Sequence, residues 1–216
     1  MGAIKAIETE YKGHLMRSRL EARWAVFFDA LGIPWHYEEQ GYELPSGRYL
    51  PDFRIEGGAL VGSADLWVEV KGKLEHDAFV KVVRAAYELP RDPTRLTWPQ
   101  VLLLCEVPEP GDPTLMTRID ARPDGVALQR VRWRGFLVGT SRANTRRHYS
   151  TEPIGDPEVF PIADLDRWTE AHTIGIRHWA DGNLIDFTLQ HDREVAAAHR
   201  AARSARFEHG QSGAML

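Results

Sequence analysis

Tyr49-Leu50-Pro51-Asp52-Phe53 and Asp65-Leu66-Trp67-Val68-Glu69-Val70-Lys71-Gly72 decide the fold; an interval holding Gly57, Gly58 and Gly62 separates them. The second stretch alternates with a period of two. Leu66, Val68 and Val70 face one way and Trp67, Glu69 and Lys71 the other, which predicts a strand over residues 65–71. In the first stretch Asp52 follows Pro51 at the start of a strand.

Upstream, residues 18–31 read as a helix. Ser18 and Glu21 have capping-box spacing, Gly32 is a stop signal, and Leu20, Trp24, Phe27, Phe28 and Leu31 line one face. Glu21 lies at the edge of that face, about 100° from Leu20. Residues 35–44 predict an aromatic-rich strand, Pro45-Ser46-Gly47 a turn, and residues 49–55 a second strand. Downstream, residues 74–89 predict a helix with Phe79, Val82, Val83 and Ala86 inward. The apolar run 101–107 has the pattern of a central strand covered on both faces. The order helix, strand, strand, strand, helix, strand implies an α/β fold with a mixed sheet flanked by helices.

The Pro-, Gly- and Asp-rich residues 108–125 predict a boundary or long loop. Beyond it, residues 125–133 predict a strand, 160–170 a short helix and 184–207 a long helix, an α+β extension. Residues 11–107 form the expected core and 108–209 an extension packed on it or contacting substrate. Residues 210–216 form a tail expected to be disordered.

Bulk properties narrow the function classes. The chain has 216 residues, 43% of them hydrophobic, enough for one substantial core. No run of 18 apolar residues predicts a membrane span. The N-terminal residues lack an apolar leader core, so a cytoplasmic location is expected, the host cytoplasm if the chain is phage-encoded. The single cysteine, Cys105, rules out an intramolecular disulfide and a cysteine-cluster zinc site, and its apolar run predicts a core position. A net charge of −4 argues weakly against nucleic acid, but two bound divalent cations would cancel it.

Asp52 and Glu69 on adjacent strands are two hard oxygen donors suited to Mg²⁺ or Mn²⁺, and Lys71 shares the face of Glu69. Metal-polarised phosphate, a bound water of lowered pKa and a lysine that offsets growing charge are the parts of phosphodiester hydrolysis. A helix packed on the sheet can bring Glu21 to the same place. Each feature also has a plain structural reading. Glu21 closes a cap with Ser18; Asp52 is a turn residue; Glu69 and Lys71 are a solvated strand face. His36 reads as a packed or surface residue, and His76 and Asp77 as the start of a helix.

These residues carry a resemblance. Pro51-Asp52 followed by Glu69-Val70-Lys71, with an acidic helix before them, resembles the PD-(D/E)XK nuclease superfamily. The stretches Tyr11-Lys12-Gly13, Arg17-Ser18-Arg19-Leu20-Glu21-Ala22-Arg23-Trp24, Tyr49-Leu50-Pro51-Asp52-Phe53 and Trp67-Val68-Glu69-Val70-Lys71-Gly72 are similar to members common in phages of actinobacteria. The resemblance covers residues 11–107. It implies a restriction-endonuclease-like sheet, Mg²⁺ with Mn²⁺ as substitute, and DNA cleavage, as an endonuclease or alternatively an exonuclease or junction resolvase. It also implies metal ligation by Asp52, Glu69, the Val70 carbonyl and Glu21, with Lys71 assisting the water. A nucleic-acid-binding module or complex subunit that keeps the fold without turnover is the alternative of another class. Homodimers are common among enzymes that cut both strands, although no seam in the sequence marks one.

For the nucleic acid itself, Arg17, Arg19, Lys73 and Lys81 lie near the predicted site. Residues 125–151 contain no acid and six arginines, of which Arg130, Arg132 and Arg134 alternate along a predicted strand. The alternative is a solvated edge strand guarded by charge.

Overall fold

The structure, a computed structural model, describes residues 6–56, 65–91, 98–108, 116–139, 145–153, 156–164 and 193–207; at 130, 132, 134–150, 152–153, 160 and 164 it describes no side chains. Ser18 caps the first helix, α1 (Arg19–Ala30), from an extended conformation, its hydroxyl accepting the Glu21 N–H at 3.2 Å. One face of α1 is fully buried through Trp24, Phe27 and Phe28. Gly32, at φ +66°, ends the helix as its sequence predicts.

Three strands follow in the sheet. They are β3 (His36–Tyr37), β6 (Phe53–Ile55) and β7 (Leu66–Val70), with β3 and β6 antiparallel and β6 and β7 antiparallel. A parallel partner, β8 (Gln100–Leu104), arrives after α2 (His76–Glu88). Before α1 lies a small hairpin, β1 (Thr9–Tyr11) and β2 (His14–Met16). Its turn uses Lys12 and Gly13 at positive φ, a pattern the sequence reading passes over.

The second half extends the same sheet. Strands β9 (Met116–Arg122), β10 (Gly125–Gly139), β11 (Thr145–Pro153) and β12 (Glu158–Pro161) are all antiparallel additions. The order is β11-β10-β9-β8-β7-β6-β3, with β12 also on β10. Helix α3 (Arg193–Ser204) packs on α1. The result is a mixed, mostly antiparallel sheet with a core on each face. One core joins α1 and α3 to Phe53, Val68, Leu102 and Trp133, and the other joins α2 to Trp67, Val101, Leu103 and Leu128.

Several expectations need correction. The strand predicted over 35–44 breaks after Tyr37, because Glu38 takes a left-handed φ of +43°. Its remainder becomes β4 (Tyr42–Leu44), which pairs with β5 (Gly47–Tyr49) as a separate hairpin around Pro45 and Ser46. The single strand expected over 49–55 is therefore two, divided at Leu50 and Pro51. Within the loop expected at 108–125, Met116–Arg122 is a strand, hidden by the turn-rich composition before it. Residues 158–161 are a strand and Ile162–Asp164 a 3-10 turn where a helix is predicted; 165–170, like 184–192 of the predicted last helix, lie outside the described residues. So does the tail. Cys105 is half-buried beyond the end of β8 rather than in the core. Among the described residues no helix is long and apolar enough to cross a membrane.

Candidate active site

The ladder between β6 and β7 runs out at Phe53↔Val68, so Asp52 stands one step beyond, level with Glu69. There the Asp52 side chain does what the strand no longer does: its Oδ2 accepts the Val70 N–H at 2.7 Å. The next amide, Lys71 N–H, turns the other way, to the Leu104 carbonyl at 2.8 Å. A strand residue's N–H and C=O point towards the same neighbour, so the Val70 carbonyl lies on the Asp52 side.

Burial separates these acids from all others. Glu21 (6% exposed), Asp52 (3%) and Glu69 (6%) are the only buried acidic residues among those described. The alternative reading of Glu69 as part of a solvated strand face is overturned, since every residue of β7 is buried. Burial of an ion is costly unless donors surround it, and here all six carboxylate oxygens have one. Glu21 takes the Ser18 hydroxyl (2.7 Å), the Arg17 N–H (3.1 Å) and the Tyr37 hydroxyl (2.7 Å). Asp52 takes the Val70 amide and, on Oδ1, the Arg17 guanidinium at 3.0 Å. Glu69 takes the buried Tyr49 hydroxyl on Oε2 (3.0 Å) and the Lys71 ammonium on Oε1.

The electrostatics follow. Burial, and then the charge of Glu69, push the Asp52 carboxyl up to about 7, against the opposing pull of Lys71 and the Val70 amide. Burial acts to lower the Lys71 pKa, but the Glu69 and Asp52 charges together raise it above the usual lysine value, so Lys71 is a cation here. Tyr49 is held well above the ordinary phenol range by burial and by Glu69 and remains a proton donor.

An open cleft of about 700 Å³ gives access, lined by Arg17, Arg48, Tyr49, Glu69, Lys71 and Lys81 among others. The β4–β5 hairpin forms one wall. It is fastened to α2 by Ser46, whose N–H and hydroxyl both donate to Glu88, and to β7 by Trp67, whose Nε1 donates to Tyr42 at 3.0 Å. Of the cationic residues singled out in the sequence, Arg17 and Lys81 reach this cleft. Arg19 is exposed outside its lining, and Lys73 pairs with Glu75 at the surface. His36 is a half-exposed residue between Glu39 and Glu56, and His76 opens α2. Trp133 is core, while Trp168 and Trp179 fall outside the described residues.

The arginine strand is related to the site by register. Glu69 pairs with Leu103, Leu103 with Thr117 and Thr117 with Arg130. Directly paired residues share a face, so Arg130 is in the same cross-sheet row as Glu69, three strand spacings or roughly 14 Å away. One parallel and two antiparallel pairings make β10 run with β7, so Arg132 is level with Lys71. The side chains of Arg130, Arg132 and Arg134 lie outside the description.

Tyr37, Tyr49 and Arg48 are site residues that the sequence reading misses. Tyr49 had one signal, its place three residues before Asp52; Tyr37 had none beyond an aromatic strand. As the residues stand, no three described carboxylate, imidazole or thiol groups converge to hold an ion. The donor chemistry nonetheless fits a divalent cation. Two level carboxylates and a backbone carbonyl are hard oxygens, and one oxygen of each carboxylate is already held by a cation that lines the cleft, Arg17 or Lys71. No family model, curated protein or solved structure matches this chain.

Proposed function

We propose that the chain is a metal-dependent nuclease that hydrolyses DNA phosphodiester bonds, with a restriction-endonuclease-like core. The observation that carries this reading is the burial of Glu21, Asp52 and Glu69, alone among described acids, linked through Arg17 and Lys71 to an open cleft that Glu69 lines. Structural acids are ordinarily placed in water; retaining three of them in the interior costs stability and is typical of a chemical site.

Asp52, Glu69 and the Val70 carbonyl would hold Mg²⁺ or Mn²⁺. Such an ion, when bound, supplies Lewis acidity to phosphate and water. Lys71, held protonated by its two acids, orients the attacking water and offsets charge growing on the phosphate. The Tyr49 hydroxyl holds Glu69 through Oε2, and the Val70 amide holds Asp52 through Oδ2. Glu21 keeps its cap bonds and contributes charge that raises the Asp52 pKa; joining the metal ligands would require it to release Tyr37 or the Arg17 amide. Arg17, Arg48 and Lys81 on the cleft lining support substrate binding there, while Arg130 shares a row with Glu69 from which it is separated by the buried Leu103.

The test is incubation with plasmid, linear duplex, single strand and four-way junction, in Mg²⁺, Mn²⁺ or EDTA. Nicked or linearised plasmid would indicate an endonuclease, loss of linear DNA alone an exonuclease, and junction cutting a resolvase. A second reading, a binding module without turnover, is favoured by the fully occupied carboxylates. DNA binding with no cleavage under any metal would establish it in place of the first.

A further inference from the structure

The donors on the site's carboxylates are of two kinds. Asp52 Oδ2 and Glu69 Oε2 are held by a backbone amide, that of Val70, and by the hydroxyl of Tyr49, which is 4% exposed. Asp52 Oδ1 and Glu69 Oε1 are held by side-chain cations that border the open cleft. Arg17 is the more exposed of these, with 54% of its side chain accessible against 31% for Lys71.

Arg17 is built for a short excursion. Its backbone is fixed, because its N–H donates to both Glu21 Oε2 and the Tyr37 hydroxyl. Its guanidinium bridges Asp52 Oδ1 and Glu38. Glu38 is anchored in turn by its N–H, which donates to the Asp52 carbonyl at 3.0 Å. The chain therefore rotates about a fixed Cα at the edge of the cleft. A divalent ion and a guanidinium on the same carboxylate oxygen repel each other, so binding of the ion weakens the Arg17 contact.

We infer that Arg17 is a place-holding cation on Asp52 that a metal ion displaces into the cleft, where it grips a phosphate of the substrate. This rests on the nuclease reading and deepens it, making phosphate binding conditional on metal binding through one side chain. Metal-free protein is protected from bare negative charge, and substrate gains a bidentate donor only once the site is loaded.

The experiment is calorimetric titration of the full chain with Mn²⁺ at low ionic strength, in wild type and R17Q. Removing the competitor should tighten Mn²⁺ binding by about tenfold, as expected if Arg17 occupies Asp52 roughly nine-tenths of the time. R17Q should also lose the extra affinity for a non-cleavable phosphorothioate duplex that Mn²⁺ confers on wild type. Unchanged or weaker Mn²⁺ binding in R17Q overturns the inference. Absence of Mn²⁺ binding in wild type overturns the metal-dependent reading itself, so the two failures are distinguishable. A second measurement needs no variant: phenylglyoxal labelling of Arg17, read by mass spectrometry, should accelerate several-fold on Mn²⁺ saturation. An unchanged labelling rate rejects displacement even if R17Q fails to fold.

Discussion

Glu69 and Arg130 stand in one cross-sheet row and differ in every physical respect. At one end lie buried acids, each oxygen answered by a donor. At the other lies a strand drawn from a segment free of acids. On the proposed reading, the first would do chemistry on a phosphate and repel it until a cation is bound. The second would hold phosphates and has no group to attack them. A separation of roughly 14 Å lets each be strong without neutralising the other.

The largest effect expected from breaking this division is at the acid end. Glu69→Gln, which keeps an acceptor for Tyr49, and Lys71→Ala should each lower cleavage by about 10³-fold, the scale of removing a charge-stabilising group. Melting should remain cooperative, and a matched loss of folding would point to a structural role.

At the other end, replacing Arg130, Arg132 and Arg134 by Gln should weaken DNA binding whatever its sequence. The log–log salt slope should fall by about 0.9 per lost contact on duplex DNA. Turnover at saturating substrate should hold, because these residues would bind ground and transition states alike. An unchanged slope would make β10 a charged edge strand and move the path to Arg17 and Lys81.

Asp52 offers a test in stability as well as rate. Its carboxyl is raised from 3.8 to about 7, so the fold favours the protonated form. That contribution is complete below the unfolded value and is lost as pH rises through about 7. Asp52→Asn should weaken Mn²⁺ binding yet raise the melting temperature of metal-free protein at pH 8, by roughly 2–4 °C per kcal/mol relieved. A lower melting temperature would mean that the Arg17 pairing outweighs the burial.

Glu21 should give a smaller change. Gln preserves its acceptor for Tyr37 and the Arg17 amide, so Glu21→Gln should cost less than about 1 kcal/mol of stability and leave cleavage near wild type. Loss of cleavage with intact melting would add Glu21 to the metal ligands.

The smallest effect lies in the packing between helices. His199, stacked on Phe27 at 4.7 Å, is pulled down to about 4 by burial. Its contribution is complete above the unfolded value of 6.5 and lost as pH falls through 4, opposite in sign to that of Asp52. The two slopes offset each other between about pH 4 and 6.5. His199→Phe should expose the Asp52 slope as a stability that declines with rising pH; a flat profile would mean the two groups are not the controlling pair.

How much of this is legible in the sequence depends on the range of the cause. Asp52 after Pro51, and Glu69 with Lys71 at one strand parity, are local patterns, so the acids and their faces can be read directly. The Ser18–Glu21 cap is local too. The donors are not: Tyr49 meets Glu69 from another hairpin, and Tyr37 meets Glu21 across a helix end, pairings that no spacing encodes. The break at Glu38 depends on a backbone conformation for which Glu has no preference. β9 is unreadable because its alternation is imperfect, Arg118 and Asp120 bonding to each other instead of marking a plain polar face. Bulk charge misleads most, since a chain of net −4 still gathers six arginines into one acid-free stretch.

Helix α3 covers α1 from the far end of the chain, through Val195, Ala198 and Ala202 on the core that holds Trp24 and Phe27, with Arg203 donating to the Val107 carbonyl at 2.9 Å. Contacts so distant in sequence carry a loop-closure cost and slow the search for the native state. The helix that carries Glu21 therefore completes its burial only when the last described segment has been made and has docked. Burial of α1 and docking of α3 should share one rate in refolding, and during synthesis the apolar face of α1 would stay uncovered until Arg193–Ser204 has emerged.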